Sequence, residues 1–166
     1  MTLNTNDETL ANGTHGPKPT TNGNSTTSAG CSEKAIADFD IKTGIRFLDL
    51  GCGTGQAVRQ VAALAHYEGV FYGVDISPRM VEVARAASGL RNLRFEVASA
   101  ERLSLEDNSF DAVLCTNSFH HYRQPLKALE EIHRVLRLGG KLCILDITLR
   151  WAVWSMARRN APSEGG

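Results

Sequence analysis

The sequence lacks long apolar runs, paired cysteines and an excess of either charge. No apolar stretch approaches the ~18 residues of a membrane-spanning helix, so no membrane span is expected. Lys plus Arg and Asp plus Glu stand at 18 each. That balance removes bulk charge attraction to nucleic acid, and no nucleic-acid partner is expected. The four cysteines, Cys31, Cys52, Cys115 and Cys143, form no CxxC pair and no cluster of zinc ligands. Cys115 and Cys143 fall inside apolar runs and read as buried thiols of a reducing compartment. The N-terminus shows no charged start followed by an apolar core, so no signal peptide is expected and the chain reads as cytoplasmic. Asn12-Gly13-Thr14 and Asn24-Ser25-Thr26 then read as chance matches to the glycosylation triplet.

What is present begins after a polar stretch. Residues 1–30 are mostly Thr, Asn, Gly, Ser and Pro, a composition that cannot bury enough surface to offset its ordering entropy. They read as a disordered tail, residues 31–160 as one domain and 161–166 as a loose terminus. The 166 residues suffice for a single core.

Strand and helix patterns alternate through that domain. A short helix is expected over 32–39, and residues 45–50 read as a buried strand. The following helix places Val58, Val61, Ala62 and Ala65 on one face. Residues 70–75 form a second strand. Ser77 then suits an N-cap with Pro78 at the first helical position, and Met80, Val83, Ala84 and Ala87 make the apolar stripe. Residues 93–97 and 110–115 are the third and fourth strands. A helix over 124–138 turns Leu126, Leu129, Ile132 and Leu136 inward and ends at Gly139-Gly140. Residues 142–147 are the fifth strand. The alternation predicts an α/β fold, a Rossmann-like doubly wound parallel sheet covered on both faces.

The chemistry concentrates in Asp49-Leu50-Gly51-Cys52-Gly53-Thr54-Gly55, between a strand and a helix. Glycines there let the backbone turn tightly and approach a ligand, and the helix N-terminus offers free N–H groups. Asp75, at the end of the second strand, suits the two hydroxyls of a ribose. Nicotinamide dinucleotides and S-adenosylmethionine are both bound this way. The spacing here is GxGxG, with Gln56 where the third dinucleotide glycine would fall. Asp49 would repel a pyrophosphate and attract the amino group and sulfonium of S-adenosylmethionine.

The loop resembles motif I of class I S-adenosylmethionine-dependent methyltransferases. Gly73-Val74-Asp75-Ile76-Ser77-Pro78 resembles their second motif. Asn108-Ser109-Phe110-Asp111 and Leu136-Arg137-Leu138-Gly139-Gly140-Lys141-Leu142 resemble the segments at strands four and five. The small-molecule group that includes the ubiquinone and menaquinone biosynthesis enzymes is the best match, over roughly residues 44–148. The resemblance implies that Gly51, Cys52, Gly53 and Gly55 wrap the methionine part and that Asp49 holds its amino group. Asp75 then binds the ribose, Ile76 packs on the adenine, and Thr116 and Asn117 border the cofactor. Ser99, Ala100 and Glu101 fall near the adenine amino group. Ser99 departs from the Asp or Asn found there in the family.

Thr116-Asn117-Ser118-Phe119-His120-His121-Tyr122 follows the fourth strand, where the crevice of an open α/β sheet lies. His120 or His121 is the candidate to contact a small-molecule acceptor, with a loop-packing role as the alternative for each. His133, on the helix, has no catalytic assignment. Trp151, Trp154, Arg158 and Arg159 read as a helix covering the fifth strand, with a basic amphipathic helix against a membrane or lipid-like acceptor as the alternative.

Members of the family continue past strand five with a helix and two strands. The residues after 159 leave no room for both, so about five strands are expected, without the last two. The strand-five edge would then be open unless the tail or another chain covers it, which points to a homodimer through that edge. Three readings follow: a small-molecule methyltransferase, a truncated or inactive S-adenosylmethionine binder without catalysis, and a nicotinamide-dependent oxidoreductase.

Overall fold

The computed structural model describes residues 41–146, the single positions Ile36 and Phe39, and the backbone of Ala152–Ser155. The expected tail over 1–30, most of the helix over 32–39, Trp151, Arg158, Arg159 and the terminus over 161–166 lie outside the described residues.

Five strands run parallel: β1 (Ile45–Leu50), β2 (Gly69–Asp75), β3 (Leu93–Val97), β4 (Phe110–Thr116) and β5 (Leu136–Leu145). A sixth, β6 (Ala152–Ser155), pairs antiparallel with β5, and the sheet order is β3-β2-β1-β4-β5-β6. The strands are near-continuous apolar runs because both faces are covered. Phe47 and Phe71 enter one core with Val58, Val61 and Val81. Leu48, Leu50 and Val113 enter the other with Ala128 and Ile132. Strand order reverses between β1 and β4, so the carboxyl ends of these two strands open a crevice between them.

Among the residues from 41 to 146, three α-helices flank the sheet: α1 (Gln56–Leu64), α2 (Pro78–Ala86) and α3 (Pro125–Val135). The expected face of α1 is the buried one: Val58, Val61, Ala62 and Ala65 are all fully enclosed. Helix α2 starts as expected, with Pro78 first and the Ser77 hydroxyl accepting from the Met80 amide. Its buried face differs. Val81 and Ala84 are enclosed, whereas Met80 and Val83 are exposed. The rotation has a polar cause. The Arg85 guanidinium donates to the Phe95 carbonyl from Nε at 3.0 Å and Nη2 at 2.6 Å, turning that side of the helix toward β3.

Helix α3 is rotated in the same manner. Ala128, Ile132 and Val135 are buried, Leu129 is partly so, and Leu126 is exposed. Arg134 fixes this setting by donating to the Leu103 and Leu105 carbonyls and pairing with Asp107 and Glu131. The helix also stops three residues before the expected end. The Asn108 and Ser109 amides take the Arg134 and Val135 carbonyls, and Leu136 already pairs with Phe110 as strand. Gly139, with φ of 79°, serves an irregularity early in β5 rather than a helix cap.

The segment expected to be a helix over the fifth strand is β6 instead. Its residues 152–155 pair with Ile144 back to Lys141. The strand-five edge expected to be open, and to recruit a second copy, is therefore taken by the same chain along this stretch.

The two faces of α2 give a direct check on this packing. Val81→Ala is expected to cost about 2 kcal/mol in urea unfolding, from lost burial and the cavity left behind. Val83→Ala is expected to cost under about 0.5 kcal/mol. A larger cost for Val83→Ala than for Val81→Ala would place the helix on its other face.

Candidate cofactor and acceptor site

The crevice is built from three chain reversals at the carboxyl ends of β1, β2 and β4. The first is the glycine loop. Its amides are largely committed to protein: Gly51 and Cys52 both donate to the Val74 carbonyl, at 2.8 and 3.0 Å, and Gly55 donates to the Cys52 carbonyl at 2.8 Å. Gly51 has φ of 71°, and a Cβ there would collide with the Ser118 side chain. Gly55, the residue before α1, has φ of 75°, and its Cβ would strike the Phe95 ring. Both positions need glycine on two counts. Gly53 is different, since a Cβ there would meet nothing within 4 Å. Open space therefore begins at Gly53.

Asp75 joins the second reversal to the first. Its Oδ2 accepts from the Gly53 amide and its Oδ1 from the Ser77 amide, both at 2.8 Å. Each oxygen keeps further acceptor capacity. Next to it, the Ile76 side chain is 74 % exposed, an apolar surface at the mouth of the crevice. Ser99, Ala100 and Glu101 follow β3 on the same side. Ala100 is buried, the Ser99 hydroxyl accepts from the Glu101 amide, and the Glu101 carboxylate accepts from the Gln124 amide. One Glu101 oxygen, Oε1, is thus committed to the start of α3.

The third reversal follows β4. Thr116 still pairs with β5, and Asn117 takes a left-handed conformation while its amide donates to the Leu145 carbonyl. The Ser118 hydroxyl donates to the Leu50 carbonyl at 3.0 Å and lies 3.3 Å from the Tyr122 hydroxyl. The Cys115 thiol, 3.1 Å from Ser118, completes this cluster, and burial pushes it up to about 11. The cluster fastens the turn holding His120 and His121 to the glycine loop. His120 Nδ1 lies 2.9 Å from both carboxylate oxygens of Asp146, whose side chain is fully buried. The His121 ring lies against that of His120, with centroids 3.8 Å apart and planes tilted by 45°.

Asp49 is the least comfortable group in the fold. It is 1 % exposed, and neither carboxylate oxygen has a hydrogen-bond partner among the described residues. Burial pushes its carboxyl up from 3.8 to about 7. The Val58 amide, though out of bonding geometry, pulls it down, and the Asp75 charge adds to the rise.

The structure thus brings Asp49, Gly51, Cys52, Gly53, Gly55 and Asp75 together, with Ile76 beside them and His120 across the crevice. Sequence reasoning passed over Asp146, which read as one more residue of the fifth strand. It also passed over Ser118, Tyr122 and Phe95, whose contacts exist only in three dimensions. A separate cavity at the opposite end of the strands, lined by Phe39, Lys42, Asp111 and Lys141, contains none of these residues.

The family model for a methyltransferase domain matches residues 48–144, more than half of the chain. The chain belongs to the methyltransferase-domain family. It is 34 % identical over 118 residues to a ubiquinone/menaquinone biosynthesis C-methyltransferase, UbiE of Coxiella burnetii, covering 69 % of this chain and 47 % of that protein. It is 37 % identical over 108 residues to the O-methyltransferase cnsE of Penicillium expansum, covering 63 % and 38 %. Among solved structures, a SAM-dependent methyltransferase from Aquifex aeolicus superposes with a TM-score of 0.64 at 30 % identity, covering 69 % of this chain and 63 % of that one. The chain spans about half the length of the curated relatives it matches, or less.

S-adenosylmethionine is the cofactor expected of this family member, and the residues present fit it. A buried carboxylate without a partner suits an ammonium group. The space at Gly53 suits a ligand chain, and the bare Ile76 side chain suits an aromatic ring.

Asp49 sets a testable pH dependence. Its folded carboxyl titrates near 7 and its unfolded one near 3.8, so between them the folded chain holds a proton that the unfolded chain has released. Ligand-free stability is therefore expected to fall as pH rises through that window and to level off above it. Asp49→Asn is expected to flatten that fall and to add about 1–3 kcal/mol at pH 8, read by urea unfolding. An unchanged slope in the variant would show that Asp49 is not the strained group.

Proposed function

We propose that this chain is a methyltransferase that moves a methyl group from S-adenosylmethionine to a small-molecule acceptor. The observation that carries the reading is the buried, unpartnered Asp49 carboxylate beside an open glycine loop. No pyrophosphate-binding site would keep a carboxylate there, because the two would repel. When bound, the cofactor supplies an electrophilic methyl carbon on a sulfonium.

The chain's own residues then bind, orient and exclude water. Asp49 holds the amino group, while Gly51, Cys52, Gly53 and Gly55 line the methionine part. Asp75 accepts from the ribose hydroxyls with the lone pairs left over from Gly53 and Ser77. Ile76 covers one adenine face. Ser99, Ala100 and Glu101 border its edge, with Glu101 partly committed to the Gln124 amide. Thr116 and Asn117 line the path from the cofactor loop to His120. Displacement at a methyl carbon needs the nucleophile close and in line, and positioning supplies most of the rate. His120 faces the acceptor. His121 is the lesser candidate, because its described ring contact is with His120 alone.

The small-molecule class of acceptor is supported by the relatives that act in quinone biosynthesis, as their names state. A reducing, cytoplasmic setting accords with the buried thiols at Cys52, Cys115 and Cys143. Among the described residues, no helix is long and apolar enough to cross a membrane.

Titration calorimetry tests the reading. S-adenosylmethionine and S-adenosylhomocysteine are expected to bind, and NAD is not. Asp75→Ala is expected to weaken both by roughly 10- to 100-fold, the worth of hydrogen bonds to a charged group. A folded chain that bound neither compound, or bound NAD instead, would overturn the proposal.

A further inference from the structure

The cavity at the opposite end of the sheet has a chemistry of its own. It measures about 320 Å³ and lies at the amino ends of β1, β4 and β5. A strand's length, about 20 Å, separates it from the glycine loop. A volume of this size holds a small molecule. Ile45, at the start of β1, and Phe39 give it an apolar wall. Gly44 and Gly139 also line it, in left-handed conformations with φ of 82° and 79°. A Cβ at either would meet nothing within 4 Å, so both backbones face open space.

Charge around this cavity is one-sided. Asp111 is the acidic residue among those lining it, and both its oxygens are taken. Oδ2 accepts from the Arg46 main-chain amide and Oδ1 from the Arg137 guanidinium, each at 2.8 Å. The Arg137 charge offsets that of Asp111. Lys141, half-buried in β5, enters no ion pair among the described residues. Lys42 brings a second positive charge to the lining and has an interaction of its own. An ammonium partly withdrawn from water with no counter-charge is costly, and an anion that enters the cavity removes that cost. The lining holds lysines and no arginine. It therefore offers point charges, not the planar fork that grips a carboxylate by two bonds. A compact tetrahedral oxyanion suits that arrangement.

We infer that this cavity binds a phosphate group, held by Lys141 and Lys42, with room beside Phe39 and Ile45 for a small apolar body. Methyl transfer is not required for it, since the cavity shares no lining residue with the cofactor crevice. Lys42 precedes β1 and Lys141 lies on β5, with β4 between those strands in the sheet. A phosphate held by both lysines ties the turn before β1 to β5 across β4. Phosphate thereby stabilises the amino ends of three parallel strands whose other ends carry the cofactor and acceptor turns.

The test titrates the full-length chain with inorganic phosphate. Binding is read by 31P line broadening and by thermal unfolding. Phosphate is expected to raise the unfolding midpoint above that in sodium chloride of equal ionic strength. Lys141→Gln is expected to weaken phosphate binding by roughly tenfold or more, the worth of a charged hydrogen bond. Lys42→Gln, at an exposed position, is expected to weaken it by a smaller factor. Saturating S-adenosylhomocysteine is expected to leave phosphate binding unchanged. Phenyl phosphate separates the two sources of the group. Tighter binding than inorganic phosphate assigns the site to a phosphomonoester, and equal binding assigns it to the free ion. An equal midpoint in sodium chloride overturns the inference, because screening alone then explains the rise. Wild-type affinity in a folded Lys141→Gln overturns it too. If that variant does not fold, wild-type affinity in Lys42→Gln does so instead. Displacement of phosphate by S-adenosylhomocysteine would place the ion in the cofactor crevice and overturn it as well.

Discussion

A carboxylate kept from water and given no partner costs several kcal/mol unless it stays protonated, and Asp49 is in that position. The fold tolerates it because it sits on the most enclosed strand of the sheet, between Leu48 and Leu50, both fully buried. Nothing among the described residues relieves the strain. A cation delivered to the mouth of β1 would return the proton to water and pair with the charge left behind. Ligand affinity and ligand-free instability thus share one origin, the pattern seen where a site is prepared ahead of its ligand.

The rest of the site follows from sheet order. Placing β4 beside β1 puts the turn after β4 against the turn after β1, and Ser118 packs where a Cβ at Gly51 would otherwise stand. One small-residue contact thereby couples the cofactor loop to the turn that bears His120. Asp75 makes a second coupling by holding both Gly53 and Ser77. The two couplings run on opposite sides of the crevice and fix its walls without help from a ligand. Asp146 extends the same logic to the next strand, since this residue at the end of β5 holds the ring carried by the turn after β4.

Much of this was legible in the sequence where backbone chemistry dictates the outcome. The glycine loop, Asp75 and the Ser77-Pro78 start of α2 have local physical signatures, and each is where the pattern placed it. The five parallel strands likewise declared themselves as apolar runs. What could not be read was set by side chains distant in sequence. Arg85 and Arg134 bond to carbonyls of other segments and rotate their helices, which hid Val81 and Val135 and exposed Val83 and Leu126. Residues 152–155 became a strand because β5 offered them an unpaired edge, a condition that no local period records. Asp146 looked like strand interior until β4 brought a histidine to it.

The central claim is that the Asp49 carboxyl, raised to about 7 by burial, is largely protonated in the ligand-free chain at pH 6 and ionises when a cationic ligand arrives. Isotope-edited infrared difference spectroscopy at pH 6, with Asp49→Asn as reference, observes this group directly. The account predicts that adding S-adenosylhomocysteine removes a neutral carboxyl band belonging to Asp49 and creates a carboxylate band. A carboxylate already present without ligand, or a neutral carboxyl unchanged by binding, would contradict it.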